Sequence, residues 1–324
     1  MNFGRIATVV VGALLVPLLA SCGGSQREDS AGGAVRVVAT YSILGDLVEN
    51  VGGEGVESTT LVGPNSDAHT FEPAPSDNAE LAEADIVFEN GLEFETWLDD
   101  LYESSGSGAE RAVVTRGLDP LPIAGEEHGH EAEDEHAEEH ETEEEHGEYD
   151  PHVWHDPTNA VVMVEEIRDT LVEADPGNAG AYRSNAERYI SELEDLDAGV
   201  TDLVDSIPGE NRTLFTSHDT FGYFAERYGF EVDTALASVS TETSDPSAGE
   251  TAGLVREIER SGVPAIFAEN VSNPTVMQNI ADEAGVELAP TLYTDALGEL
   301  GSGAGTYVGM VRHNARTISG ALGG

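Results

Sequence analysis

From Val35 onward, short apolar runs alternate with segments whose apolar residues recur every three or four positions, and this alternation restricts the fold more than any other feature of the chain. Residues 35–40, 56–62, 86–89 and 112–115 read as strands, and 43–51, 76–84 and 94–102 as the crossover helices between them. The pattern resumes with strands at 213–216, 232–237, 265–268 and 287–289, and helices at 221–228, 248–261, 274–284 and 306–322. Such alternation predicts an α/β fold with parallel-rich sheets. Two helices separate the sets. One spans 157–174; the other is bracketed by Pro176 and Ile207-Pro208-Gly209, with Tyr182, Tyr189, Leu193, Leu196, Val200, Leu203 and Ile207 along one side. At about 29 residues this second helix would reach roughly 43 Å and could cross the whole protein. The expected organisation is two βα domains, 34–175 and 209–324, joined by a long rigid linker helix over 176–208.

Composition changes abruptly after Pro122. Residues 126–150 are mostly Glu, interleaved with His128, His130, His136, His140 and His146, and hold scarcely an aliphatic side chain. Such a segment cannot bury a core and is expected to be disordered. It reads as a solvated spacer or as a loop of weak, transient sites for divalent cations. The whole chain carries 14 Lys+Arg, all of them Arg, against 63 Asp+Glu, for a formal net charge of −49. A nucleic-acid partner is therefore excluded and cations become the plausible ligands. A surface so acidic repels itself and is best tolerated where salt screens it. The sole cysteine, Cys22, rules out intrachain disulfides, Cys-based zinc fingers and iron-sulfur clusters.

Arg5, the apolar run 6–20 and the small residues of Leu19-Ala20-Ser21-Cys22 form a secretory signal over 1–21, too short to span a bilayer comfortably. Cys22 stands where a bacterial lipoprotein signal would place it, so the chain resembles a precursor cut before Cys22 and lipidated on its sulfur. The alternative is an ordinary buried cysteine. Residues 22–33, rich in Gly, Ser and charge, read as a flexible tether. The mature protein is then anchored to the membrane from outside and does not cross it.

Outside the insert lie His69, His152, His155, His218 and His313. His69 follows a strand and a turn-rich stretch, His152 lies just ahead of a helix, and His218 directly follows a strand. Carboxyl ends of parallel strands face the ligand crevice, so His69 and His218 should meet between the domains, with Asp295 a further candidate beyond the last strand. Three imidazoles and one carboxylate suit Zn²⁺ or Mn²⁺. Ligands so far apart in sequence carry no short-range motif, however, and isolated histidines are more often surface or hydrogen-bonded core residues. His155 could stand behind the ligands, and His313, inside a C-terminal helix, reads as structural. A zinc hydrolase is disfavoured because no His-Glu-x-x-His helix is present.

Six stretches occur in one order: Val38-Ala39-Thr40-Tyr41-Ser42-Ile43-Leu44-Gly45-Asp46; Asp67-Ala68-His69-Thr70-Phe71-Glu72-Pro73, with Pro75-Ser76-Asp77; Asp150-Pro151-His152-Val153-Trp154; Ser217-His218-Asp219-Thr220-Phe221-Gly222-Tyr223-Phe224; Leu292-Tyr293-Thr294-Asp295-Ala296-Leu297; and Gly305-Thr306-Tyr307-Val308-Gly309-Met310 with His313-Asn314. Together they resemble the zinc/manganese solute-binding lipoproteins of bacterial ABC importers, over about Val35 to the C-terminus except the acidic insert. The resemblance implies two α/β domains on a rigid helix with one metal ion in the cleft, held by His69, His152, His218 and Asp295. It implies no enzymatic activity, a membrane permease as partner, and a monomer. Zn²⁺ is the expected cargo, with Mn²⁺ the alternative, and a surface adhesin or zinc buffer is a further reading. Ala68 departs from the family, which usually has Pro before the first histidine, and His155 stands where many relatives have an apolar residue.

Overall fold

The central strand β1 (Val35–Tyr41) is Val-rich and buried from Val37 onward, so it needs cover on both faces and partners on both edges. It has both. β2 (Val56–Val62) and β3 (Ile86–Glu89) flank it in parallel, with Val38 facing Thr59 on one side and Val87 on the other. β4 (Glu110–Val113) completes a parallel four-stranded sheet of order β2-β1-β3-β4. The crossovers are α1 (Ser42–Gly52), α2 (Pro75–Glu83) and α3 (Leu98–Ser105). The computed structural model of the protein describes residues 33–123, 148–233 and 248–323, together with Met1. Cys22, the signal segment and the five insert histidines His128, His130, His136, His140 and His146 lie outside the described residues, as does most of the strand expected at 232–237.

The second half repeats the βα pattern. β5 (Thr213–Phe215) pairs in parallel with β6 (Glu231–Asp233), and β7 (Ala265–Glu269) with β8 (Glu287–Leu292). Between and after them run α6 (Gly222–Tyr228), α7 (Ala248–Ser261), α8 (Pro274–Ala284) and α9 (Tyr307–Leu322). The fold is thus two parallel βα halves, as the alternation predicts.

Two helices link the halves. α4 (Pro157–Ala174) starts under Asp156, whose side chain accepts the Thr158 N–H, with Pro157 at the first helical position. α5 (Ala179–Val204) has 26 residues and so extends about 39 Å, slightly less than the sequence suggests, because residues 176–178 form a turn and Asp205–Ile207 leave the helix. Its buried stripe runs Tyr182, Ala186, Tyr189, Leu193, Leu196, Val200, Val204, and burying each large side chain there is worth about 1.5–3 kcal/mol. Near its start, Tyr182 donates to Gly55 O, Asn185 to Val51 O, and Tyr189 to Asp46. Near its end, Asp197 holds Arg227 and Tyr228 of α6, while Ser319 of α9 donates to Leu203 O. One helix therefore braces both halves, and one apolar cluster runs from Val37 through Trp154 and Tyr189 to Leu322.

β8 runs three residues past the end that the sequence suggests, and in the first half two elements are displaced. β4 lies two residues earlier than expected. α3 begins at Leu98, not Phe94, because the segment ahead of it is drawn into a turn in which Gly91, Leu92 and Glu93 take positive φ (81°, 56° and 61°) and Glu95 reaches back to the Asn90 and Gly91 N–H groups. Glu95 stabilises this turn by accepting from the Asn90 and Gly91 N–H groups and from Thr40 Oγ1. The turn thereby buries the Phe94 ring against Tyr41 and Trp154.

Candidate metal centre

Each predicted donor sits just past the carboxyl end of a parallel strand or on a loop beside one. His69 follows β2, His218 lies three residues after β5, and Asp295 three after β8. His152 precedes a short 3-10 turn, Val153–His155, which leads into α4. The two N-terminal histidines share a local device. In Asp67-Ala68-His69 and Asp150-Pro151-His152, the Asp Oδ1 accepts the histidine's backbone N–H at 2.8 and 2.9 Å. Such a turn aims the imidazole by satisfying the backbone next to it. Ala68, lacking the ring of a proline, is held by Trp97, whose Nε1 donates to Ala68 O at 2.8 Å.

The four side chains converge. One ligand atom from each of His69, His152, His218 and Asp295 lies within 4.8 Å of all the others. His69 Nε2 is 3.2 Å from His152 Nε2, His152 Nε2 is 3.6 Å from Asp295 Oδ1, and His218 Nε2 is 3.5 Å from Asp295 Oδ2. Behind them stand further carboxylates. His152 Nδ1 lies 2.7 Å from Asp150 Oδ1, and His218 Nδ1 lies 2.8 Å from Glu269 Oε2. Glu269 is buried, yet its carboxyl is held below the usual range, because the His218 charge and hydrogen bonds outweigh burial. An ionised carboxylate only accepts, so each Nδ1 carries a proton and each Nε2 points inward, where it offers a lone pair to a metal once its own proton is displaced.

Ring nitrogens and a carboxylate therefore face one another in a chamber where His152 and Asp295 are buried and His69 and His218 half-buried. His218 Nε2 and both Asp295 oxygens are buried with no hydrogen-bond partner among the described residues. Orphaned polar atoms of this kind are costly unless a ligand, here a proton or a metal cation, sits among them. Proton affinities carry the same signature. Burial opposes an imidazolium at His218, but Glu269 and Asp295 outweigh it and lift the pKa to about 10. At His152 burial is likewise outweighed, by Asp150, and its pKa is raised. Burial pushes Asp295 up to about 6 against the pull of His218 and His152. The centre attracts positive charge and can bind a divalent ion through three nitrogens and one carboxylate.

The loops are also locked to one another. Trp154 Nε1 donates to Thr294 O at 2.9 Å, and Tyr307 OH donates to Trp154 O at 2.7 Å, which ties the His152 turn to the residue before Asp295. Asn90 accepts from Tyr41 OH and donates to Pro151 O. Phe94 stands edge-on to His69, ring centroids 4.7 Å apart.

His155 does not join the four. It is buried beside Phe221 and Trp154, and burial lowers its pKa well below the usual imidazole range, so it stays neutral. His313 lies on α9, its Nε2 3.0 Å from Thr291 O, in keeping with a structural part. Sequence reasoning gave no role to Asp150 and missed Glu269. Both had a readable signal: Asp150 repeats the Asp-x-His spacing of Asp67 and His69, and Glu269 lies at the carboxyl end of β7, where Ser217 and His218 follow β5.

Two parallel βα halves on a bracing helix, with three imidazoles and a carboxylate gathered at the strand ends, define a metal-binding solute-binding protein. Residues 37–321 match the family described as the periplasmic component A of the zinc-uptake complex, and the chain belongs to that family. Its members are solute-binding proteins and not enzymes. A manganese-binding lipoprotein of Halalkalibacterium halodurans is 35% identical over 94% of this chain and 94% of its own length. A manganese ABC transporter substrate-binding lipoprotein of Streptococcus mitis is 27% identical over 98% of this chain and 99% of its own. The solved periplasmic zinc-binding protein of Treponema pallidum superposes with a TM-score of 0.75 at 31% identity, covering 90% of this chain and 99% of the other.

Proposed function

We propose that this protein is the extracytoplasmic binding component of an ABC importer, and that it captures Zn²⁺ at His69, His152, His218 and Asp295 and delivers it to a membrane permease. The carrying observation is the inward convergence of three Nε2 atoms on a carboxylate whose two oxygens have no other partner. Three of the separations, 3.2, 3.5 and 3.6 Å, also lie near the edge of a tetrahedron built on metal–ligand bonds of about 2.05 Å, which is about 3.3 Å, and all lie within 4.8 Å. Three nitrogens and one oxygen are softer than the two-nitrogen, two-carboxylate sets that suit Mn²⁺. Relatives named for manganese and for zinc make Mn²⁺ the alternative cargo.

The polypeptide is lipidated on Cys22 after removal of residues 1–21, and residues 22–33 tether it. Among the described residues no helix is long and apolar enough to cross a membrane. The halves 34–175 and 209–324 act as two lobes about the linker 176–208, and one copy supplies every donor, so the unit is a monomer. His128, His130, His136, His140 and His146 serve as weak auxiliary sites that raise the local metal concentration. The assignment is tested by titrating purified protein with Zn²⁺ before and after Asp295→Ala or His218→Ala. One tight site per chain is expected, weakened at least a hundredfold in each variant. Unchanged affinity in both would refute it.

A further inference from the structure

A groove of about 690 Å³ lies between β8 and α9, distinct from the metal centre. Pro290 of β8 lines one wall, and Arg312, His313, Arg316 and Gly320 of α9 line the other, with Glu287 at one end. Arg312 and Arg316 are exposed, one helical turn apart, and make no ion pair or hydrogen bond with any described residue. In a chain of net charge −49, free carboxylates are plentiful, and Arg111, Arg168 and Arg227 are each held by two of them. Arg256 and Arg260 of α7 are exposed and unpaired among the described residues as well, so it is the groove beside Arg312 and Arg316 that sets this pair apart.

Gly320 adds a second observation. It is exposed in the last turn of α9, its φ is ordinary, and a Cβ there would meet nothing within 4 Å. With no side chain at this position, the last turn of α9 presents bare backbone at the wall of the groove. His313 is not free to fill the space, because its ring is engaged with Thr291 O.

The geometry points to a docking surface for an acidic protein segment, one that presents two carboxylates about 6 Å apart, as Asp or Glu residues one turn apart on a helix do. Resting on the reading of an importer component, the partner is the membrane subunit that receives the metal. Carboxylates of that segment pair bidentately with Arg312 and Arg316 while its backbone approaches over Gly320. The pairing fixes the binding protein's orientation on the membrane without touching the metal centre.

The test is zinc uptake by cells lacking the native copy and complemented with the full-length chain, either wild type or carrying Arg312→Glu with Arg316→Glu. A control carries Arg256→Glu with Arg260→Glu, a pair that is also exposed and one turn apart, on α7, with no ion pair to any described residue and outside this groove. The groove variant is expected to lose at least tenfold in uptake with its Zn²⁺ affinity unchanged by calorimetry, while the control transports normally. Unchanged uptake overturns the proposal, as does an equal loss in the control, or a loss of metal affinity that accounts for the effect. Binding of the wild-type soluble portion to phosphatidylglycerol vesicles that the groove variant fails to show would assign the groove to a lipid headgroup and equally overturn it. If wild type restores no uptake while still binding Zn²⁺, the importer reading itself fails, and the docking proposal with it.

Discussion

His218 and Glu269 are joined twice: the backbone N–H of His218 donates to Oε1 at 2.9 Å, and the ring Nδ1 lies 2.8 Å from Oε2. The carboxylate sits at the end of β7, so the rigid sheet sets both the tautomer and the direction of the ring. Ser217 Oγ also donates to Oε1, which leaves the carboxylate no freedom to turn away. Removing only the charge isolates this effect. Glu269→Gln is expected to lower Zn²⁺ affinity about 10–100-fold while the protein stays folded, as outer partners of metal-bound histidines generally do. Calorimetry together with a thermal melt checks it, and undiminished affinity would show that the pairing does not tune the ligand.

Metal release on acidification follows from the same carboxylates. A free imidazole titrates near about 6.5, which would place release below about pH 6. Here His218 is raised to about 10 and His152 is raised as well, so the metal competes with protons throughout the neutral range. Apparent Zn²⁺ affinity is expected to climb about tenfold per pH unit between pH 7 and 9. The metal-free fold should respond oppositely. A pKa raised on folding stabilises the protein below the unfolded value and ceases to do so as pH rises through the folded one. Metal-free melting temperature is therefore expected to fall between about pH 7 and pH 10, and that of the zinc form to hold. Affinity flat over pH 7–9 would contradict a protonated His218.

Deleting residues 124–147 is expected to leave the tight site intact. The ends of that segment already meet: Pro122 bridges Tyr149, and Asp150 N donates to Leu121 O at 2.8 Å. A two-residue Gly-Ser link can close the gap without strain on Asp150, which aims His152. Weak Zn²⁺ sites should vanish from the titration while the tight one remains. Loss of the tight one would place the cargo on the insert.

The acidic surface makes a separate claim. At about 0.1 M salt the Debye length is about 10 Å, so repulsion within a chain of net charge −49 is relieved only at higher ionic strength. Melting temperature of the metal-free protein should rise between 50 mM and molar NaCl. No rise would count against a salt-adapted surface.

Most of the fold was legible because hydrophobic period is a local property. β2, β3 and α4 fall where alternation and a proline-led start put them, since each is settled by its own residues. Phe94 has the apolar spacing of a helix, yet it lies in a turn because Glu95 reaches back to Thr40 and Asn90, a contact that sequence spacing does not encode. At the centre, the strand-end rule located His69, His218 and Asp295 but gave no distances among them. The locking of Trp154 onto Thr294, 140 positions away, belongs to tertiary structure alone.

The ratio of Zn²⁺ to Mn²⁺ dissociation constants, obtained by competition calorimetry on the purified mature protein, tests the central claim most directly. With three nitrogens and one carboxylate, Zn²⁺ should bind at least tenfold more tightly than Mn²⁺. The same ratio is then read in His218→Glu combined with Glu269→Gln, the second change sparing a buried clash of two carboxylates. Trading a nitrogen for an oxygen should narrow the gap. A wild-type protein that prefers Mn²⁺, or a ratio unmoved by the exchange, would contradict a zinc site built on His218.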